Sequence, residues 1–178
     1  MPSDLVAAAD WIGPRLLSFA DAKVGSVIPT GFESYVRLTP HVELEDILRR
    51  HTATPNRCWF CLWDGYGELH GPPAVSHQYS FWAADVPESE RRPPPPPPKP
   101  TLSESRVHLP HRDYLLFTGR VQQGDGWHDG PNLWWPDDRA WCVANEIDLD
   151  YTLVGGSEEL CADLIEEGAI AVSPDDRN

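Results

Sequence analysis

The sequence predicts a single α+β domain with a mostly antiparallel sheet and helices packed on one face. Short apolar or alternating segments, bounded by glycine- and proline-containing turns, are typical of strands. Strands and helical stretches follow one another in mixed order, which favours this layered architecture. With 178 residues, eight of them tryptophan, the chain is long and apolar enough for one core. We therefore assign residues 1–178 to one domain.

The N-terminal third contains turns and short elements. Residues 4–20 predict a flap of short helical turns, because a glycine–proline pair interrupts any longer helix. Strands are predicted near residues 24–28 and 32–38, where apolar side chains cluster and then alternate with polar ones. The segment 42–51 predicts a short helix, since its acidic residues lie early and its basic residues late, as the helix dipole favours.

The middle of the chain contains the most apolar strand. Residues 58–63, CWFCLW, predict a central strand covered on both faces, and residues 113–119 predict a second strand closed by glycine. Most of the prolines lie between them, including the unbroken run 93–98, and such a run forms a stiff rod without internal hydrogen bonds. We predict an exposed proline-rich loop at about residues 87–104.

Residues 140–151 carry the main functional prediction. Apolar and polar side chains alternate with period two, so we expect a strand with one face in the core. The other face would carry Glu146, Asp148 and Asp150. Such a row of carboxylates is also compatible with a solvated or internally paired surface, or with a bound hard cation.

A helix and a final strand are predicted at the C-terminus. After a turn at Gly155 and Gly156, Ser157 is placed to cap a helix that ends at Gly168. The predicted buried stripe of this helix consists of Leu160, Leu164 and Ile165. A last strand is expected over residues 169–173.

Charge restricts the classes of partner. The net charge is −14, from 28 acidic and 14 basic residues, and residues 133–178 contribute −10 of it. This balance repels nucleic acid and anionic membranes, so we expect neither as a partner, and any charged partner should be basic. The N-terminus does not have the pattern of a secretory signal and no apolar run approaches a membrane span, which predicts a cytoplasmic protein.

We expect a binding or interaction module, in the manner of an immunity protein that neutralises a cationic toxin. Adjacent tryptophans on a strand face opposite ways, so at least one should stay exposed beside the acidic residues. The predicted partner-binding residues are Trp134, Trp135, Asp137, Asp138, Glu146, Asp148 and Asp150. The alternative is an enzyme with a metal or His/carboxylate site at the sheet rim, using Asp148, Asp150 and either His111 or His128.

No catalytic residue, metal ligand or cofactor is assigned. Cys58 and Cys61 have the spacing of zinc and redox motifs, but positions three apart on a strand point to opposite faces, which indicates structural thiols. Free, buried thiols are expected for all four cysteines. The nucleotide-binding, protease and kinase motifs that would indicate a reaction are missing from the sequence.

Four segments resemble an uncharacterised protein family common in actinobacteria. They are PTGFESYVRLTPH, RHTATPNRCWFCLWDGYG, HRDYLLFTG and NLWWPDDRAWCVANEIDLDYTLVGG. This resemblance implies a compact cytoplasmic protein and no defined reaction. The segment LPHRDYLLFTG, followed by strands and a C-terminal helix, is also similar to the SUKH superfamily of bacterial immunity and scaffold proteins.

Overall fold

The structure is built around one antiparallel sheet. It is a computed structural model that describes residues 6–39, 44–65, 106–122 and 130–178. The strands of the described residues are β1 (Ser34–Leu38), β2 (Cys58–Trp63), β3 (Arg106–His108), β4 (Asp113–Gly119), β5 (Leu133–Pro136), β6 (Cys142–Ala144), β7 (Thr152–Gly156) and β8 (Ile170–Ala171). They form one sheet in the order β3-β4-β2-β5-β6-β7-β1-β8, and all pairs are antiparallel. The proline-rich loop predicted at about 87–104 lies outside the described residues.

Strand β2 occupies an inner position of the sheet. Phe60 is paired with Phe117 of β4 on one side and with Trp134 of β5 on the other. The first five residues of β2 are buried, because both faces of the sheet are covered. The continuous apolar run therefore has the structural meaning predicted for it.

In the described ranges, two α-helices pack on one face of the sheet. They are α1 (Glu45–Arg50) and α2 (Glu158–Glu166), and their apolar side chains join a core that includes Val36, Phe60 and Val154. The α+β architecture with helices on one face is thus confirmed. No helix among the described residues is long and apolar enough to cross a membrane.

The N-terminal flap covers the opposite face. Its four short 3-10 turns lie between Val6 and Ser26, and they bury Ile12 and Ile28 against side chains of the sheet. Val24, Val27 and Ile28 are buried at helical spacing. The strand predicted near 24–28 is therefore wrong: these residues pack onto the sheet instead of joining it.

Helix α2 begins as the sequence predicts. The Ser157 hydroxyl accepts a hydrogen bond from the backbone N–H of Leu160 at 3.1 Å, which caps the first turn. Beyond the helix, Gly168 has φ +97°, a conformation that favours glycine. Ile165 does not belong to the buried stripe, since it is 45% exposed.

Gly155 and Gly156 lie within β7 and do not form the predicted turn. A Cβ atom at Gly155 would approach the Phe32 and Tyr35 rings to 2.7–2.8 Å, and one at Gly156 would approach Leu160 Cδ2 to 2.6 Å. Glycine is required here because side chains from both layers press against the strand. Phe32 and Tyr35 belong to the core on the flap side of the sheet, and Leu160 belongs to α2.

The strand predicted over residues 140–151 is confirmed only for Cys142–Ala144, which form β6, and is wrong beyond Ala144. β6 ends at Ala144, which pairs with Leu153 of β7, so the intervening chain must reverse direction. A hydrogen bond from Leu149 N to Glu146 O (3.0 Å) closes the turn. Two residues exchange their predicted faces, since Glu146 is 8% exposed and the apolar Ile147 is 41% exposed, whereas Asp148 and Asp150 are exposed as predicted. The prediction failed because the period-two alternation of apolar and polar residues in the sequence continues through a hairpin loop whose backbone is not extended.

Candidate functional site

Neither tryptophan of the predicted surface reaches solvent. Trp134 and Trp135 are 2% and 1% exposed. They do face opposite ways: Trp134 packs against Phe60 (5.9 Å between ring centroids), and Trp135 lies edge-on to Trp11 (6.0 Å) in the flap. The expectation that one of them stays exposed is wrong, because a layer covers each face of the sheet.

Asp137 and Asp138 are exposed, but their carboxylates are engaged within the chain. Asp137 Oδ1 accepts a hydrogen bond from Trp59 Nε1 at 2.9 Å. Asp138 accepts from the Thr52 hydroxyl at 2.8 Å and from the Ala53 backbone N–H at 2.7 Å. Both residues therefore hold the turn after β5 against the loop before β2, which reduces their availability to a partner.

Glu146 and Asp148 form a cluster around Arg112. Arg112 Nη2 lies 2.7 Å from Glu146 Oε1 and 3.1 Å from Asp148 Oδ2. The guanidinium carbon is 5.0 Å from the Trp63 ring centroid, within cation–π range. We call these four residues the Arg112 cluster.

The Arg112 cluster contains a buried ion pair. The side chains of Arg112 and Glu146 are 15% and 6% exposed, whereas Asp148 is 73% exposed. Burial raises the pKa of Glu146, and the nearby Arg112 charge opposes that shift. Of the three carboxylates predicted to form one row, Glu146 and Asp148 are paired internally and Asp150 is exposed.

Neutral side chains hold the loop that carries Glu146. Asn132 Nδ2 donates to the Asn145 carbonyl at 3.2 Å, and the Thr152 hydroxyl donates to Asn145 Oδ1 at 2.6 Å. Asn132 Oδ1 in turn accepts from the Trp63 backbone N–H at 2.7 Å. These bonds join the ends of β2 and β5 to the β6–β7 loop, so the carboxylate is positioned by the fold.

His111 does not form an acid–base pair with Asp148 or Asp150. His111 stacks on Phe19 with centroids 4.8 Å apart, and its Nε2 lies 3.4 Å from the Tyr114 hydroxyl. Burial and the adjacent Arg112 lower the pKa of His111, which favours the neutral ring. His128 lies outside the described residues. Among the described residues, no three His, Cys, Asp or Glu side chains are grouped closely enough to hold a metal ion.

The cysteines have the predicted structural character. Cys58 faces the helix layer and Cys61 faces the flap, so their sulfurs diverge. All four thiols are free and buried. Burial raises the pKa of Cys58 to about 12 and raises that of Cys61 further, which suppresses the nucleophilic thiolate.

The exposed acidic surface lies on α2. Four residues are exposed there whose carboxylate groups have no hydrogen-bonding or ionic partner in the described ranges: Glu158, Glu159, Glu166 and Glu167. We call them the α2 acidic face. Asp163 is different, because it accepts from His51 Nε2 at 2.8 Å and thereby ties α2 to the end of α1. That hydrogen bond is the main reason why the pKa of Asp163 is lowered.

Sequence reasoning missed both Arg112 and the α2 acidic face. Arg112 is 34 positions from Glu146, and no sequence pattern connects residues so far apart. For α2 a signal was present, since Glu166 and Glu167 follow the buried Leu164 at the end of the helical period. That pattern predicts an exposed acidic end.

Comparison with known proteins adds no functional assignment. A scan against protein-family models, a search of curated proteins and a search of solved structures found no match to this chain. The likeness to an actinobacterial family and the similarity to the SUKH superfamily stay predictions. Function is therefore inferred from the side chains themselves.

Proposed function

We propose that this chain is a protein-binding module whose α2 acidic face engages a basic protein partner, as an immunity protein engages a cationic toxin. The supporting observation is the set of four exposed carboxylates without cationic partners in the described part of the chain. Ile165, 45% exposed, lies among them and supplies apolar contact area. A basic partner is also what the net charge predicts, but the proposed binding surface is now α2 in place of residues 134–150.

The end of α2 is not optimised for stability. Cations near a helix C-terminus are stabilising and anions there are destabilising, each by about 0.3–1 kcal/mol. Helix α2 has no basic residue in its last turn and carries Glu166 and Glu167 there instead. Acidic residues placed where they cost stability are explained most simply by a partner that neutralises them.

The arrangement of side chains on α2 is suited to binding the surface of another protein. Residues four apart share one side of a helix, which places Glu158, Ala162 and Glu166 in a line. Ala162 is exposed and small, so a partner can approach the backbone between the two carboxylates. Arginine and lysine side chains of the partner would lie along this line.

The proposal is tested by measuring whether binding is lost when the α2 carboxylates are neutralised and when the salt concentration is raised. The bait is the tagged full chain, compared with a variant in which Glu158, Glu159, Glu166 and Glu167 are changed to Gln. A matched control changes four exposed carboxylates elsewhere to Asn, namely Asp10, Asp21, Asp46 and Asp150. Both variants carry four fewer negative charges, so net charge is held equal.

We expect the wild type and the control to capture the same basic protein from native lysate. The α2 variant should lose it, and salt should weaken the complex because exposed charges are screened. Titration calorimetry with the purified partner then gives the dissociation constants. Equal binding by both variants would contradict the proposal, as would a partner without a basic surface.

A further inference from the structure

Trp11 lies at the centre of an aromatic group between the flap and the sheet. Its ring is edge-on to Phe32 (6.2 Å) and to Trp135 (6.0 Å), and the residue is 9% exposed. The indole is therefore fixed by its neighbours. Side chains that contact the Trp11 ring therefore pack against a ring whose position is fixed.

Two arginines from distant parts of the chain lie over this indole. The guanidinium carbon of Arg15 is 5.5 Å from the ring centroid and that of Arg139 is 5.6 Å from it. The fold brings the two cations to one side chain from the flap and from the turn after β5. Stacking on an aromatic ring leaves the N–H groups at the guanidinium edge available to a ligand.

Neither arginine has a carboxylate partner among the described residues. This is notable in a chain with 28 acidic residues. The two aspartates beside Arg139 are engaged elsewhere, since Asp137 accepts from Trp59 and Asp138 accepts from Thr52. Two cations that share one support are thus left without an anion.

The indole itself also lacks an acceptor. Trp11 Nε1 is buried and has no hydrogen-bond partner in the described structure. A buried donor without an acceptor is costly, and such a group calls for an explanation. Two guanidiniums without carboxylate partners and a buried N–H without an acceptor therefore meet at one side chain.

The backbone around the arginines is anchored. The Arg15 carbonyl accepts from the Thr30 N–H and from the Thr30 hydroxyl, both at 2.8 Å. Gly31, which follows Thr30, has φ +101°, a conformation that favours glycine. The Arg139 N–H donates to the Pro136 carbonyl at 2.8 Å. Both side chains therefore start from fixed positions.

We propose that Arg15, Arg139 and Trp11 form a binding site for an oxyanion group, a phosphate or a carboxylate carried by a small molecule. Guanidinium groups bind both through paired N–H···O bonds. The site is distinct from the α2 acidic face in residues and in the sign of its charge. It makes the chain a binder of an anionic ligand in addition to a basic protein.

An NMR titration of the full chain tests this site. Indole N–H resonances of ¹⁵N-labelled protein are followed while inorganic phosphate, pyrophosphate or malonate is added at constant ionic strength. We expect a saturable shift of the Trp11 resonance. Trp134 is the internal control, because its indole N–H is also buried and unpartnered but packs against Phe60 and Trp141 in the helix-side core.

Variants then locate the binding groups. Arg15→Gln and Arg139→Gln should each weaken binding of the tightest of the three anions roughly tenfold, the loss expected for one charge-assisted hydrogen bond. Arg37→Gln is the matched control, since Arg37 is exposed and lies 5.7 Å from the Tyr151 ring without a carboxylate partner in the described residues. It should bind as the wild type does.

Two outcomes overturn the site. In the first, the wild-type Trp11 resonance does not move with any of the three anions, or moves only together with Trp134. In the second, the Arg15 and Arg139 variants bind as tightly as the Arg37 control. The wild-type titration does not depend on how any variant folds, and the choice among the three anions separates phosphate from carboxylate recognition.

Discussion

Replacing Arg112 with methionine tests the buried ion pair of the Arg112 cluster. The change leaves Glu146, whose side chain is 6% exposed, without the guanidinium that lies 2.7 Å away. Removal of one partner of a buried pair costs about 3–5 kcal/mol. Since Arg112 is itself 15% exposed, we expect the lower end, about 3 kcal/mol at pH 7.

The pH dependence of this loss has a definite sign. Burial already raises the pKa of Glu146, and removal of Arg112 takes away an interaction that lowers it. A carboxyl group whose pKa is raised by folding stabilises the fold below its unfolded pKa, and that contribution is lost as pH rises through the folded pKa. The penalty of Arg112→Met should therefore be largest at neutral pH and shrink as pH falls towards about 4.

Urea unfolding measured at several pH values provides the assay. With an m-value of about 2 kcal/mol/M, the expected loss moves the midpoint by about 1.5 M. Adding Glu146→Gln to the Arg112→Met background should recover part of the loss, because the uncompensated charge is gone. Arg37→Met, at an exposed arginine, should cost less than about 1 kcal/mol.

Two results would refute this reasoning. One is a loss below about 1 kcal/mol at pH 7 for Arg112→Met, which is the size expected of an exposed pair. The other is a double variant whose loss equals the sum of the two single losses. Either would mean that Glu146 reaches water or another partner when Arg112 is absent.

Three further predictions concern the core. Gly156→Ala should lower the free energy of unfolding by about 1–3 kcal/mol, since the new Cβ would meet Leu160, which is fully buried; urea unfolding checks this. Asp163→Asn should flatten the stability profile at acid pH, because a carboxyl with a lowered pKa stabilises above its unfolded pKa and loses that effect as pH falls; His51→Gln should flatten it only in part, since Arg50 Nη2 still lies 3.4 Å from Asp163 Oδ2. A thiol reagent should modify Cys58 slowly in the native protein and all four cysteines at once in denaturant, and rapid native reaction would contradict the burial.

Local elements could be predicted from the sequence because their signals are local. The continuous apolar run of β2 and the Ser157 cap both depend on neighbouring residues. The segment from Trp141 to Tyr151 has the same alternation whether it is extended or folded back, so its hairpin could be found only from the pairing of β6 with β7. Burial of Trp134 and Trp135 likewise depends on two layers that come from distant parts of the chain.

The candidate sites were harder to predict from the sequence, because they too depend on contacts between distant parts of the chain. A count of carboxylates predicts an acidic surface but does not say which carboxylates already have partners. Glu146 forms an ion pair with an arginine 34 positions away, whereas Arg139 has no carboxylate partner among the described residues although two aspartates precede it. Pairing of charges is decided by the tertiary structure, and it moved the proposed surface from the β6–β7 loop to α2.

Strand β1 lies between β7 and β8, and this position affects how the protein can be made. Among the described residues, β1 pairs only with strands between residues 152 and 171, which are synthesised long after it. On the ribosome, β1 must therefore wait for these residues before it can join the sheet. Pairing over such long sequence separation slows folding, so nascent chains of this protein should depend on chaperones more than its size alone suggests.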